Sequence, residues 1–431
     1  MTPAARLAAA IELLDAIGSA HRKPADAIAN DFFRSRRFIG SGDRRAVADR
    51  VWRVLRAHRR LRWWLARRES VASARLLAAA SLLLEGWTMA GLAQAFTGGA
   101  FGAAPLSGVE RAALAGLEGQ RLDSPDMPEA VRLEIADWLL EPLRVRFGAA
   151  LEDELAALAE TAPLDLRVNL LKTTRESAAA ALAGEGIEAT PTPLSPWGLR
   201  VATRQAVTGT AAFQSGLVEI QDEGSQLVAA LLGARPEMRV ADLCAGAGGK
   251  TLALAMQMDN RGHLAACDVS AQRLAGAVRR LHRAGVHNVA QHLLVAGDKW
   301  AKRRAGGFDR VLVDAPCTGS GTWRRNPYAR PRLTPRDLAE LLPKQTLLLA
   351  QAARLLRVGG QMVYATCSLL PDENEAQIAA FLAQHPGFSL RPLSEVWPFE
   401  SPPPCAGPYL SLTPRAHGTD GFFAAVLKRD A

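Results

Sequence analysis

The sequence predicts an α/β protein in which a doubly wound, mostly parallel sheet follows a small α+β segment and an all-helical module. Three observations carry this. Apolar residues at helical spacing, as in Val47, Val51, Val54 and Leu55, run from the start to about residue 95 with no alternating stretch. Apolar, β-rich runs then recur between helical patterns: Val240 to Leu243, Leu264 to Val269, Val289 to Leu294, Arg310 to Val313 and Gln361 to Ala365. Strands alternating with helices imply parallel pairing with both sheet faces covered. Between the two parts, Leu166 to Leu171 alternates as a strand and is followed by Thr174, Glu176 and an Ala-rich helix.

The remaining elements follow in order. Gly98, Gly99, Gly102 and Pro105 make Thr97 to Ser107 a loop, after which helical periodicity resumes over Glu129 to Phe147 and Leu151 to Leu158. The resulting divisions are 1–145 (all-α), 146–236 (helical linker and small α+β subdomain) and 237–431 (α/β). A chain of 431 residues exceeds the size of a single core, which agrees with several domains. With 48% hydrophobic and 22% charged residues and a mean hydropathy of +0.00, disorder is excluded.

Glu12 and Asp15 interrupt the apolar stretch Leu7 to Ile17, which a secretory or membrane segment would avoid, so a cytoplasmic protein with no membrane association is expected, a monomer. The cysteines Cys244, Cys267, Cys317, Cys367 and Cys405 lack paired spacing, so neither a disulfide framework nor a metal site is predicted and their use, if any, is chemical. The net charge is +9, and between Arg34 and Arg68 stand thirteen arginines against Asp43 and Asp49 alone. That excess suits an acidic partner, or a set of solvated helix faces. Trp52, Trp63 and Trp64, at helical spacing, are assigned to the core rather than to base stacking.

In open α/β sheets, ligands bind beyond the carboxyl ends of the strands. The first run there ends in Cys244-Ala245-Gly246-Ala247-Gly248-Gly249-Lys250, where glycines let a ligand approach backbone at a helix N-terminus. The spacing fits neither GxGxxG nor the P-loop, which would need Gly at Leu243. Asp268 closes the second run, placed for the ribose hydroxyls of an adenosine, and Asp298 follows the third, placed for an adenine amino group. Either aspartate alone reads as a cap or turn residue; successive strand ends together argue for a nucleoside-containing cofactor.

Two thiols stand at the next strand ends, in Asp314-Ala315-Pro316-Cys317 and Thr366-Cys367-Ser368, the latter leading into Pro371-Asp372-Glu373-Asn374-Glu375. A single thiol is more often buried and inert. Two at neighbouring strand ends suit a reaction in which one adds to C6 of a cytosine, making C5 nucleophilic towards a sulfonium methyl, and the other assists release. Asp314 is placed to hydrogen-bond or protonate N3 as charge develops on the ring.

On these motifs, together with Arg167-Val168-Asn169, Ile220-Gln221-Asp222-Glu223-Gly224-Ser225-Gln226, Arg324-Arg325-Asn326-Pro327 and Gly418-Thr419-Asp420-Gly421-Phe422-Phe423, the chain resembles the Sun-type (RsmB-like) bacterial cytosine-C5 RNA methyltransferases over nearly its whole length. The resemblance implies a Rossmann-like domain binding S-adenosyl-L-methionine, Cys367 as nucleophile and Cys317 as releasing thiol. It further implies cofactor contacts from Cys244, Ala245, Gly246, Ala247, Gly248, Gly249, Lys250, Asp268, Asp298 and Asp314, and RNA, most naturally ribosomal, as partner. Arg324, Arg325, Arg167 and Asn169 are the candidate RNA contacts. The N-terminal part, with Phe38 to Arg45 leading into the Arg-rich helix, looks like a NusB-like RNA-binding domain. The chain departs from the family at Ala247, where Pro is frequent, and at Tyr328, where an acid is common. Two other classes of reading remain open: an RNA-binding assembly factor without catalysis, against which the intact thiol pair argues, and a nicotinamide-dependent dehydrogenase, which cofactor binding discriminates.

Overall fold

A computed structural model describes residues 1–20, 23–202 and 205–431, which form two compact units: Met1–Ala159 with Trp323–Thr334, and Glu160–Thr322 with Pro335–Ala431. The first unit is helical. Thr2 caps its first helix, Pro3–Ser19, with Pro at the first turn, and Ser73, Thr88 and Ser107 cap later ones, the last with a capping box to Glu110. Helix Ser41–Arg56 buries Val47, Val51, Val54 and Leu55 against Leu13, Ile17, Leu61, Leu65 and Leu83 in one core. Trp52 and Trp64 pack on this core's margin, whereas Trp63 lies under the Arg67 guanidinium, 4.7 Å from its ring centroid.

The Arg-rich stretch is less basic in space than in sequence. Arg34, Arg36, Arg50, Arg53, Arg59, Arg60 and Arg67 pair with Asp31, Glu12, Glu85, Asp137, Asp123, Glu134 and Asp126, acids lying almost entirely outside the stretch. The segment Trp323–Thr334 is held by buried Arg330, whose Nη2 donates to the carbonyls of Leu133 (2.6 Å) and Leu155 (3.2 Å), and by Trp138, whose Nε1 donates to Leu333 O at 3.0 Å.

The second unit contains two sheets. The smaller consists of β1 (Leu164–Val168), β2 (Ala189–Pro191), β3 (Gly198–Val201) and β4 (Val218–Ile220), antiparallel in the order β2-β3-β1-β4. The run expected at Leu166 to Leu171 thus begins earlier and turns away after Val168. The larger sheet holds β5 (Arg239–Asp242), β6 (His263–Asp268), β7 (Val289–Leu293), β8 (Phe308–Asp314), β9 (Leu356–Thr366), β10 (Phe388–Arg391), β11 (Leu410–Leu412) and β12 (Phe422–Arg429). Its order is β10-β12-β9-β8-β5-β6-β7, with β11 paired to β12. From β7 to β9 all pairings are parallel, while β10, β11 and β12 are antiparallel. This is the expected Rossmann-like, mostly parallel sheet. Winding reverses between β5 and β8, so their carboxyl ends form the switch point at which ligands bind.

Candidate active site

Five strand ends converge on one cavity of about 940 Å³, lined among others by Asp242, Cys244 to Ala247, Gly249, Lys250, Asp268, Asp298, Asp314, Cys317, Cys367 and Phe422. Of the residues assigned from sequence to catalysis and cofactor, all but Gly248 line it. Gly248 shapes it: at φ +84° it occupies the left-handed region and caps helix Gly249–Gln257, which a side chain at that position would strain. Asp268 fixes the loop by accepting from Gly246 N (2.8 Å) with one oxygen and from Ser270 N (2.8 Å) with the other. Asp298 accepts from Trp300 N at 2.8 Å and also contacts His292, whose hydrogen bond holds its carboxyl below the usual range. Trp300 stacks on the His292 ring at 5.0 Å.

Lys250 reaches across the switch point to Asp314, Nζ to Oδ2 2.7 Å. Burial pulls its ammonium down, but the charge and hydrogen bond of Asp314 outweigh that and leave it raised. Asp242, closing β5, was not assigned from the sequence. It is 1% exposed, accepts from Thr251 Oγ1 at 2.7 Å with Oδ2, and leaves Oδ1 without a hydrogen bond. Burial, with the charge of Asp314, pushes its carboxyl up to about 7. Burial likewise pushes the Cys244 thiol well up, so that it lines the cavity as a neutral group.

The two candidate thiols meet, Cys317 Sγ lying 3.4 Å from Cys367 Sγ. The hydrogen bond to Cys367, and burial after it, push the Cys317 thiol well above its ordinary value. What holds the pair is a carboxylate that sequence reasoning passed over. Glu373, fully buried, accepts from Thr318 N (2.9 Å) and Gln345 Nε2 (2.9 Å), and from the hydroxyls of Thr318 and Ser368. Each cysteine's following residue is therefore tied to the same group. Asn374 adds Nδ2 to Ser368 O at 2.9 Å. The available signal was position: an acid and an amide in the short turn that follows a strand end carrying a thiol.

The closing glycine motif is explained by a close backbone approach. Gly421 N donates to Gly321 O at 2.8 Å, and a Cβ on Gly321 would lie 2.2 Å from Gly421 O. Gly321 N in turn donates to Cys367 O at 2.9 Å, so this contact shapes both thiol loops. Asp222 caps helix Glu223–Leu231 and accepts from Asp420 N at 3.1 Å.

The residues assigned to RNA are placed differently. Arg167 is buried, donating to Gly249 O at 2.8 Å and to Gln221, and burial lowers its guanidinium to about 10. Asn169 donates to Gly216 O (2.9 Å) and Ala284 O (2.8 Å). Both brace the small sheet against the large one. Arg324 is 5% exposed, and its carbonyl accepts from Arg56 at 3.4 Å; Arg325 is exposed. Among the described residues no cluster suits a metal ion, and no helix is long and apolar enough to cross a membrane.

The donor set fits S-adenosyl-L-methionine. Asp242 Oδ1 is an orphaned buried acceptor for an ammonium or hydroxyl, the glycine loop offers backbone, and carboxylates stand at two further strand ends. Comparisons agree. Residues 229–428 match the family model described as 16S rRNA methyltransferase RsmB/F, and residues 135–208 match the ferredoxin-like domain of RsmF/B-like methyltransferases. The probable ribosomal RNA small subunit methyltransferase B of Synechocystis sp. is 36% identical, covering 72% of this chain and 70% of that protein. Its counterpart in Bacillus subtilis is 31% identical over 72% and 69%. A methyltransferase homolog of Pyrococcus horikoshii, of known structure, superposes with TM-score 0.62 at 30% identity, covering 71% of this chain and 100% of that one.

Fold and cavity together are those of an S-adenosyl-L-methionine-dependent RNA methyltransferase. Within that class, the chain belongs to the RsmB/F family.

Proposed function

We propose that this enzyme methylates C5 of a cytosine in RNA, in small-subunit ribosomal RNA as its relatives' names say of them, through a covalent Cys367–C6 adduct. The observation that carries the reading is the pair of sulfurs 3.4 Å apart at the ends of neighbouring parallel strands, on the cavity that suits the methyl donor. Asp268 is assigned to the ribose hydroxyls, Asp298 to the adenine amino group, Asp242 to a donor of the methionine moiety, and residues 244–250 to the backbone cradle. When bound, S-adenosyl-L-methionine supplies an electrophilic methyl group.

Cys367 gives up its proton to solvent and adds as the thiolate to C6, forming the S–C bond and shifting the ring electrons towards C5 and N3. Asp314 is assigned to N3: a proton passed to N3 from the Lys250–Asp314 pair neutralises the charge that develops there and returns to the pair when the ring electrons return. C5 then takes the methyl group. Loss of H5 as a proton to water returns its electron pair to the C5–C6 bond and expels Cys367. Cys317, its Sγ 3.4 Å from that sulfur, is assigned to stabilise the leaving thiolate. Arg325 is assigned to the RNA backbone, whereas Arg324, Arg167 and Asn169 act through the loops they hold. The helical unit is assigned as a NusB-like RNA-docking domain spanning the 1–145 region, followed by the 146–236 subdomain and the 237–431 catalytic domain.

Incubation with methyl-labelled cofactor and RNA, followed by nucleoside digestion, tests this. Label is expected in 5-methylcytosine and to vanish in Cys367→Ala; label in any other nucleoside, or undiminished in that variant, overturns it.

A further inference from the structure

The helix Ala271–Ala284 reads AQRLAGAVRRLHRA and carries Arg273, Arg279, Arg280, His282 and Arg283 with no acid. Arg273 lines the catalytic cavity at one end of it. About two turns on, Arg279, Arg280, His282 and Arg283 line, with Gly276 and Gln214, a second concavity of about 580 Å³. Arg273 and Arg280, seven apart, share one helix face, and Arg279, His282 and Arg283, three and four apart, share the adjoining one, with Arg280 and Arg283 as neighbours between them. Two of the arginines are fixed by the protein: Glu219 accepts from Arg283 (2.6 Å) and Arg280 (3.4 Å), and Arg280 also donates to Ala247 O at 2.6 Å. One carboxylate thus serves two guanidiniums and leaves an uncompensated positive charge. The guanidiniums of Arg273 and Arg279 have no ion-pair partner among the described residues, and Arg279 is exposed.

A basic band therefore winds along this helix from the second concavity to the catalytic cavity. We propose that it is the track for the phosphate backbone of the RNA flanking the target base, with the groove between Gln214 and Arg279 taking a phosphate next to that nucleotide's neighbours. Along the helix axis the six-residue interval from Arg273 to Arg279 spans about 9 Å at about 1.5 Å per residue. Charge selects the backbone rather than the bases, since guanidiniums on a rigid helix contact phosphates without reading sequence. The inference rests on RNA being the substrate and adds where the strand runs.

The test uses Arg279→Ala and Arg279→Glu in the full chain, with a fluorescein-labelled, cytosine-containing single-stranded RNA titrated at several salt concentrations, and S-adenosyl-L-methionine affinity measured alongside. Affinity for RNA is expected to fall several-fold in the alanine variant and further in the glutamate variant. The slope of log affinity against log salt should shrink by about 0.7 to 1, as for one lost phosphate contact. Cofactor affinity should stay at the wild-type value. Unchanged RNA affinity and slope, or an affinity loss with the slope unaltered, overturns the track. Methyl transfer in the same samples separates the two readings: RNA binding that follows Arg279 without 5-methylcytosine product sinks the chemistry alone, and product formed with wild-type KM in Arg279→Glu sinks the track alone.

Discussion

Replacing Glu373 by alanine removes a carboxylate to which both thiol loops are tied. Its carboxylate takes four donors, two from Thr318 and one each from Ser368 and Gln345, at a position with no exposure. Bonds to a charged acceptor contribute about 1.5–3 kcal/mol each, so four give an upper bound of about 6–12 kcal/mol. The desolvation of a buried carboxylate, several kcal/mol, opposes this. A net destabilisation of about 3–5 kcal/mol is expected for Glu373→Ala in urea unfolding. The isosteric Glu373→Gln keeps an oxygen for Thr318 N and Gln345, and the hydroxyls of Thr318 and Ser368 can rotate to accept from its amide, so about 1 kcal/mol is expected there. Activity should fall further than stability explains, because a displacement of about 1 Å between reacting groups costs about 10²-fold. Single-turnover transfer, measured where both variants are folded, should show kcat lost and KM little changed, with the glutamine variant rescuing most of it. An alanine variant within about 0.5 kcal/mol of wild type, turning over normally, would refute the clamp.

Other expectations follow from the same site. Asp242 sits at about 7 in the folded chain and near 4 when unfolded, so the folded state carries an extra proton between those values; that contribution to stability is present at low pH and lost as pH rises through about 7. A donor on the bound cofactor prefers the carboxylate, so S-adenosyl-L-methionine affinity should fall as pH drops below about 7, by at most about tenfold per unit. Calorimetric titration from pH 5.5 to 8 should show this in the wild type and a flat profile in Asp242→Asn; a flat wild-type profile contradicts the assignment. Gly321→Ala forces a Cβ to within 2.2 Å of Gly421 O and should destabilise by about 1–3 kcal/mol while slowing transfer, read by thermal unfolding and kcat; wild-type values in both would remove the close approach as an explanation of the glycine motif.

The sheet was legible because its inner strands are apolar runs ended by glycine or aspartate, as at Asp242 and Asp268. The antiparallel strands Phe388–Arg391 and Leu410–Leu412 were not, being short and flanked by prolines. The cofactor loop and thiols could be read because their chemistry is local in sequence. Glu373 could not, because its function depends on Thr318 and Gln345 arriving from elsewhere in the chain. Seven of the thirteen arginines meet acids, most of which the local sequence does not show, such as Glu85, Asp123 and Asp137, because those acids are distant in sequence. Arg167 and Asn169 stand out as polar residues at a strand end, and only the structure gives their donors carbonyl partners across two sheets.

The proposed chemistry has Cys367 bond to the RNA and needs Cys317 to let it go. Cys317→Ala, incubated with S-adenosyl-L-methionine and labelled RNA and run on a denaturing gel, should yield a retarded protein–RNA band that Cys367→Ala and the double variant lack. Free turnover by Cys317→Ala with no such band would contradict it.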